Sequence, residues 1–419
     1  MSKKKEIDII QPTFFPEFAC IGPACTDNCC HSWLVTVDKE HYLRYKAVQD
    51  PEFQKLCATF LIRNKKNSTP ENYATMALRQ DGRCGFQDED GGCHIYRALG
   101  QGSLCATCTI YPRRKNQFLP GVWEYSLTLS CEEAVRLACL SGKPVEFQRI
   151  HREIDPDNFL DQLRPVHTGG GEKDTPAPYC QPLRQACLDL MQQREFPVRE
   201  RLLSIGLLLR RADRLRREKG EHDIPAMAAQ LVAQSAQGEF AGLFQRMAYD
   251  RNAHLSALEL PAIHLMTAVR KPVLRQVWAL LEPLCTQKSD REYDLGEEAM
   301  AFLSQQGKEK ADPILERQAQ AVENYFVNEI FTSTYPFTYF RRGLSFEYHG
   351  ILLAEQYALL RVLLGLLPSP EGETEEEHLV KAVVALGRIT QHGDMGRQVY
   401  KIGRATKLDS LAHAAYLLQ

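Results

Sequence analysis

The chain has 419 residues, 25% of them charged and 44% hydrophobic, with 51 basic residues against 53 acidic ones. A formal net charge of -2 excludes a protein that coats nucleic acid by bulk electrostatics. The length suits two or three domains, with apolar content enough for real cores. What departs from an ordinary globular enzyme is the count of 14 cysteines, eleven of them between Cys20 and Cys139.

The first ten residues carry lysines but no apolar stretch of signal-peptide length. The most apolar run, Ile351 to Leu367, is interrupted by Glu355, Gln356 and Arg361, so no membrane span is expected. The chain reads as cytoplasmic, where thiols stay reduced and clustered cysteines bind metal more often than they pair.

Val35 and Val37 alternate with polar residues and predict a short strand, after which Asp38 caps a helix from Lys39 to about Val48. Asp81-Gly82, Gly91-Gly92 and Gly100-Gln-Gly102 mark tight loops. A strand is predicted over Val122–Leu129 and a helix over Glu132–Leu140. Residues 166–178 have linker composition; their three glycines lack the preceding strand and the following helix of a phosphate loop. Beyond them Val198, Leu202, Ile205, Leu209, Ala212 and Leu215 fall at helical spacing. The same segment carries Arg210, Arg211, Arg214, Arg216, Arg217 and Lys219, the pattern of a solvated basic face. Further helices are expected at 226–236, 240–249, 261–284 and 295–306. Asp312-Pro313 is read as the cap and first turn of a helix to about Phe331, and two more follow at 344–367 and 374–391. The expected fold is mainly α. An N-terminal Cys-rich α+β metal-binding module over 1–165 is followed by the linker and a larger all-helical domain over 179–419.

The cysteines fall into three knots. Cys20, Cys25, Cys29 and Cys30 form the first, Cys84, Cys93, Cys105 and Cys108 the second, and Cys131 stands alone. Thiolates are soft ligands that select zinc or iron–sulfur clusters, and about four are needed per site. Only Cys105-x2-Cys108 has the knuckle form of a zinc ribbon, and the CxxxCxxC triplet of radical enzymes is absent, so spacing leaves zinc and iron–sulfur both open. Cys57, Cys139, Cys180, Cys187 and Cys285 lie inside helical patterns and read as core fillers.

The run Phe18-Ala-Cys20-Ile-Gly-Pro-Ala-Cys25-Thr-Asp-Asn-Cys29-Cys30-His-Ser-Trp33 resembles the opening of the flagellin lysine-N-methylase family (FliB). So do Arg83-Cys84-x-Phe86, Cys93-His-Ile95, Cys108-x-x-Tyr111-Pro112-Arg113 and Leu129-Ser130-Cys131. Weaker likeness continues through Glu323-Asn324-Tyr325 and Tyr335-Pro336-Phe337. The cysteine elements are also similar to a broader group of small zinc- or iron-chelating proteins. The resemblance implies methyl transfer from S-adenosylmethionine to lysine Nε of flagellin, with an iron–sulfur cluster, expected as 4Fe-4S. It implies a ligand set drawn from Cys25, Cys29, Cys30, Cys84, Cys93 and Cys108, with Cys20 and Cys131 as further members. Two residues depart from the family pattern: Cys105 replaces a small polar residue, and Glu132 a usual proline.

Methylating lysine requires a neutral amine, an aligned sulfonium methyl and apolar or aromatic walls. Aromatic faces attract sulfonium and methylammonium groups. Tyr335, Phe337, Tyr339 and Tyr348 lie in the segment richest in aromatic residues and are the sequence's candidates for such walls; a packed helix corner is the competing reading.

Overall fold

Ile7 and Ile9 alternate with polar residues and build the first strand, β1 (Glu6–Pro12), with both isoleucines buried. The structure is a computed structural model that describes residues 5–419 apart from 32, 67, 157, 164, 168–176, 268–271, 290–291, 339–342 and 392–394. It is mainly α.

Seven further strands matter to the site. β2 (Val35–Val37), β3 (Leu61–Arg63) and β4 (Ala74–Met76) form a small antiparallel sheet in the order β2-β4-β3. β5 (Arg113–Gln117), β6 (Val122–Leu127), β7 (Phe147–Glu153) and β8 (Val166–His167) join β1 in a five-stranded sheet, order β7-β1-β6-β5-β8. β1 runs parallel to β6 and antiparallel to β7. The expected strand at Val122 is therefore present, ending at Leu127. Strands β1, β3, β4, β5, β7 and β8 had no place in the sequence reading; the polar residues of Arg113–Gln117, for one, carry no apolar alternation.

The two sheets feed different cores. Val37, Tyr45, Phe53, Met76, Phe86 and Ile95 fill a small core under β2–β4. Asp38 caps the helix Lys39–Lys46 as expected, accepting from the His41 amide at 2.9 Å. The five-stranded sheet contributes Ile7, Ile9, Tyr125 and Leu127 to the large core that also holds the helices beyond Cys180. The boundary between the cores thus passes inside residues 1–165 and not at the Gly-rich segment, most of which lies outside the described residues. Burying one large apolar side chain is worth ~1.5–3 kcal/mol, so these four represent roughly 6–12 kcal/mol, on the scale of a whole domain's net stability. The sheet depends on the helices for its fold. Arg184 reinforces the junction, bonding buried Glu124 of β6 at 2.6 and 3.0 Å and the Phe331 carbonyl at 2.8 Å.

The helical part centres on Phe346–Leu366, in which every residue but Glu347 is buried. It is long and apolar enough to cross a membrane by length and composition, and here it lies in the middle of the protein core. Ser345 caps it. It crosses Val198–Lys219 closely: a Cβ on Gly350 would come within 2.8 Å of the Gly206 Cα, so glycine at 350 permits the contact, while a Cβ on Gly206 would meet Leu411 at 2.4 Å. On Val198–Lys219, Leu202, Ile205, Leu209 and Ala212 are buried, while the exposed Arg210 faces Glu347 of the neighbouring helix and the exposed Arg214 pairs with Glu218 on its own.

Several expected boundaries move. The segment 261–284 is two helices, Arg251–Thr267 and Pro272–Leu281. Residues 240–249 keep only Leu243–Arg246 as helix. Asp312 does not cap a helix from outside but is the first residue of the helix Asp312–Arg317. It continues from a π-helical turn, Gly307–Ala311, and its carboxylate instead receives Arg361 at 2.6 and 2.8 Å. The chain breaks again at Gln318 before Ala319–Thr332. The last expected helix is present as Glu375–Thr390, opened by a Thr374–Glu377 capping box.

Candidate metal centre

Three cysteines occupy the position just before a helix: Cys93 before His94–Leu99, Cys105 before Ala106–Ile110 and Cys131 before Glu132–Cys139. There the unbonded amides of the first turn point at the thiol, the arrangement that favours a thiolate. The amides of Ile95 and Tyr96 act on Cys93 in that sense, although burial dominates and leaves its thiol raised. Cysteine directly before a helical pattern was the sequence signal for this geometry.

Backbone pairing brings distant cysteines together. The Cys84 amide donates to the Cys30 carbonyl at 2.7 Å, and His31 bridges Arg83 beside it. Gln87 bridges Cys93. The Trp33 indole N–H donates to the Cys29 carbonyl, closing the turn after the first knot. Cys84 and Cys105 are buried in the small core, with Cys30, Cys93 and Cys108 packed on it.

The thiols act on one another. A thiol–thiol hydrogen bond with Cys30 holds Cys29 below the ordinary range and drives Cys30 up, aided by burial and by Cys84 and Cys93. Cys105 and Cys108 form a second such pair, with Cys105 lowered and Cys108 raised, and Cys30 and Cys29 add to the rise of Cys108. Burial pushes the Cys84 thiol up to about 11, with Cys93 and Cys105 contributing. Cys29, Cys30, Cys84, Cys93, Cys105 and Cys108 therefore share one electrostatic neighbourhood. Cys131, pushed up to about 12 by burial, feels Cys29 and Cys20. Burial also raises Cys25, next to Glu132 and Cys131. Cys20, Cys25 and Cys131 thus form a second group that meets the first at Cys29.

This donor set suits a soft metal or an iron–sulfur cluster in kind and number. Among the described residues no three His, Cys, Asp or Glu side chains stand together as a metal-holding group. Cys30, Cys84, Cys93, Cys105 and Cys108 lie close enough to perturb one another's thiols, and Cys20, Cys29 and Cys131 act on one another beside them.

Two charged residues absent from the expected site hold the first knot. Glu132 is buried, and its Oε2 accepts from the Thr26 amide and hydroxyl, both at 2.8 Å, and from the Cys25 thiol at 3.4 Å. Burial opposes its charge, but Arg136 and Thr26 outweigh it and keep the carboxyl below its usual range. Arg388, from the helix Glu375–Thr390, reaches the same loop from the other side and meets Asp27 at 2.5 Å. Glu132 was visible as a departure from the family pattern; Arg388 carried no local signal.

The expected aromatic walls have other work. Tyr335 is buried and accepts from Gln356 at 3.0 Å. Phe337 packs against Phe118 and Phe346 at centroid distances of 5.5 and 5.6 Å. Tyr348 donates to the Gly396 carbonyl at 3.3 Å. These three are core, because each polar tip or ring edge already has a protein partner; Tyr339 lies outside the described residues. A surface cavity of about 430 Å³ lies instead between Arg251–Thr267 and Glu297–Gln306, lined by Ser256, Glu259, Ile263 and Met300 among others. Another of about 270 Å³ is lined by Arg211, Leu215 and Met227 among others. Neither touches the cysteines.

The Glu323-Asn324-Tyr325 run also proves structural. Glu323 is buried between Arg201 at 2.7 Å and Arg194 at 2.9 Å. Asn324 donates to the carbonyls of Ala138 and Lys143 and accepts from the Val145 amide. Asn328 donates to the Leu127 carbonyl at 3.1 Å. One helix face thereby stitches the helical part to the sheet.

Fold and site together define a mainly helical protein that presents a thiol-rich N-terminal end. The family model described as the FliB lysine N-methylase C-terminal domain matches residues 184–417, more than half of the chain. The flagellar biosynthetic protein FliU of Salmonella muenchen is 34% identical over 130 residues, 31% of this chain and 75% of FliU. The lysine-N-methylases of Salmonella typhimurium and Salmonella choleraesuis are likewise 34% identical over 130 residues, again 31% of this chain but only 32% of each relative. No solved structure matches the chain. The chain belongs to the FliB lysine N-methylase family.

Proposed function

We propose that the chain is a cytoplasmic protein-lysine methyltransferase that moves a methyl group from S-adenosylmethionine to lysine Nε of flagellin. The observation that carries this reading is the meeting of two features in one chain: the family's C-terminal helical domain and a gathered set of reduced thiols. Relatives bearing the names lysine-N-methylase and flagellar biosynthetic protein support the reaction and the substrate class. No disulfide joins the described cysteines, which suits a reducing compartment.

The thiols would hold an iron–sulfur cluster, expected as 4Fe-4S from the family resemblance. Cys30, Cys84, Cys93 and Cys108 are the first candidates, with Cys29 and Cys105 beside them and Cys20, Cys25 and Cys131 on the adjoining rim. When bound, such a cluster supplies a redox-active centre whose potential depends on nearby charge and hydrogen bonds. Incubating the protein with flagellin and S-adenosylmethionine, then mapping lysines by mass spectrometry, is expected to give increments of one or more methyl groups. No increment on any lysine would sink the proposal. Serine at Cys29 or Cys93 is expected to abolish bound iron and acid-labile sulfide.

One observation favours a second reading. Neither cavity adjoins the cysteines, as suits a metal-binding or redox-sensing module without turnover. That reading predicts tight metal, zinc or iron–sulfur, and no methyl transfer in the same assay.

A further inference from the structure

The chain is nearly neutral, with a net charge of -2, yet its charge is unevenly placed. Residues 210–219 and 397–407 together hold ten basic residues and two acidic ones. The first run ends the helix Val198–Lys219, and the second lies on the helix Met395–Thr406 and the residue after it. Both flank one turn, the start of Phe346–Leu366. Buried Asp213 accepts from the Glu347 amide at 2.6 Å and Arg216 stands over the Phe346 ring at 5.5 Å, which fixes the first helix there. Tyr348 donates to the Gly396 carbonyl and meets the Tyr400 ring at a centroid distance of 5.4 Å, which fixes the second.

Much of this positive charge is unanswered within the chain. Arg210, Arg214 and Arg404 face Glu347, Glu218 and Asp409. Arg211, Arg217, Lys219 and Lys401 are exposed and have no ion-pair partner among the described residues. Arg210 and Arg214, and likewise Arg397 and Lys401, stand four residues apart on their helices, a like-charge spacing that weakens a helix. A partner of opposite charge relieves that repulsion.

Beside the arginines runs a groove. Arg211 and Leu215 face Ala226, Met227 and Gln230 of the helix Ile224–Ala236, with Asp223 at its end, across a cavity of about 270 Å³. Pockets that enclose a drug-sized molecule hold about 300–1,000 Å³, so this one suits side chains presented from outside. The helix Ile224–Ala236 has no charged residue, and Ala226, Ala229, Gln230 and Ala233 are exposed on it. A helix face turned to water ordinarily carries charged side chains; this face is short and uncharged, and another helix can approach it closely.

An occupant that fits both features is apolar where it enters the groove and acidic where it lies on the arginines. An amphipathic helix has that pattern. Single-stranded nucleic acid stacks on aromatic rings, and the groove is lined by none. A membrane-bound helix presents large apolar side chains, and of the exposed large hydrophobic residues only Tyr400 lies on either basic helix.

We propose that the groove between Val198–Lys219 and Ile224–Ala236, with the basic face beside it, docks an acidic amphipathic helix of a partner protein. The docking surface goes beyond methyl transfer and stands whether or not the chain has that activity.

The probe is a synthetic helical peptide with leucines on one face and glutamates on the other, titrated against the full chain by fluorescence anisotropy. A scrambled peptide of the same composition, a short DNA duplex and phosphatidylserine-containing vesicles are titrated beside it. The amphipathic peptide is expected to bind tightest. Arg211→Glu combined with Arg217→Glu should weaken it roughly tenfold, mainly by slowing association. Added salt should weaken wild type more than this double variant. Ala226→Trp fills the groove from an exposed position without changing charge, and should also weaken the peptide several-fold. Lys55→Glu, exposed at the cysteine-bearing end, should leave binding unchanged. A scrambled peptide that binds as tightly overturns the proposal, because charge alone is then recognised. So does unchanged binding in Ala226→Trp or in the double variant, or no binding of the peptide to wild type. Tighter binding of the duplex or the vesicles, weakened by the same substitutions, overturns it in favour of that ligand.

Discussion

Replacing Glu132 by proline, the residue that the family resemblance expects there, separates a helix effect from a loop effect. Glu132 is the first residue of the helix Glu132–Cys139. Proline is well tolerated at that position, since its missing N–H would have no intrahelical partner and its fixed φ suits the turn. The helix should persist. What disappears is the carboxylate that accepts from the Thr26 amide and hydroxyl at 2.8 Å each. A hydrogen bond to a charged group contributes ~1.5–3 kcal/mol, and the Thr26 amide would be left without its acceptor. The contact to Arg136 adds little, because that side chain is 37% exposed. Allowing for partial rescue by water, the local cost is about 2–3 kcal/mol, which corresponds to roughly 30- to 150-fold faster opening. Amide hydrogen exchange at Thr26 reads that opening directly. Glu132→Pro should raise its exchange by about that factor while exchange within Val135–Cys139 stays unchanged. Glu132→Gln, which keeps a neutral acceptor, should fall between. Exchange at Thr26 unchanged in Glu132→Pro would refute the argument that this carboxylate holds the cysteine loop.

Three other outcomes follow from the geometry. Gly387→Ala gains about 1 kcal/mol of helix propensity but sets its Cβ against backbone atoms at 2.7 Å, an overpacking that costs ~1–3 kcal/mol. A lowered urea midpoint is expected, and a raised one would show that the Leu129–Ser130 turn yields freely. Asn324→Ala strands two carbonyls and one amide at the junction of sheet and helices, for a loss of about 2–4 kcal/mol measured by chemical denaturation. His349 is fully buried, and burial holds its pKa down from 6.5 to about 4. Because the unfolded chain binds that proton more readily, the contribution is complete above pH 6.5 and is lost as pH falls towards 4. His349→Asn, able to keep the bond to the Ser345 carbonyl, should flatten stability between those pH values; an unchanged slope there would assign the titration to another group.

Much of the local structure was decided within a few residues of itself. Asp38 caps its helix, Thr374 and Glu377 close a capping box, and the apolar spacing from Val198 to Ala212 gives one buried face, all legible because each depends on neighbours three or four positions away. The residue types available to the site were legible too, since clustered thiols are soft donors wherever the fold puts them. What the fold alone decided is the company each group keeps. Arg113–Gln117 becomes a strand because β6 and β8 pair with it, although its own residues are polar. Tyr335, Phe337 and Tyr348 become core because partners far along the chain meet their rings and hydroxyls. The two thiol groups, joined at Cys29, arise from backbone bridges between segments more than fifty residues apart, such as the Cys84 amide on Cys30. Arg388 lies 361 residues from the carbonyl it binds. No periodicity or cap extends over such a separation, so the composition of the centre was written in the sequence and its charge environment only in the packing of the helical domain against it.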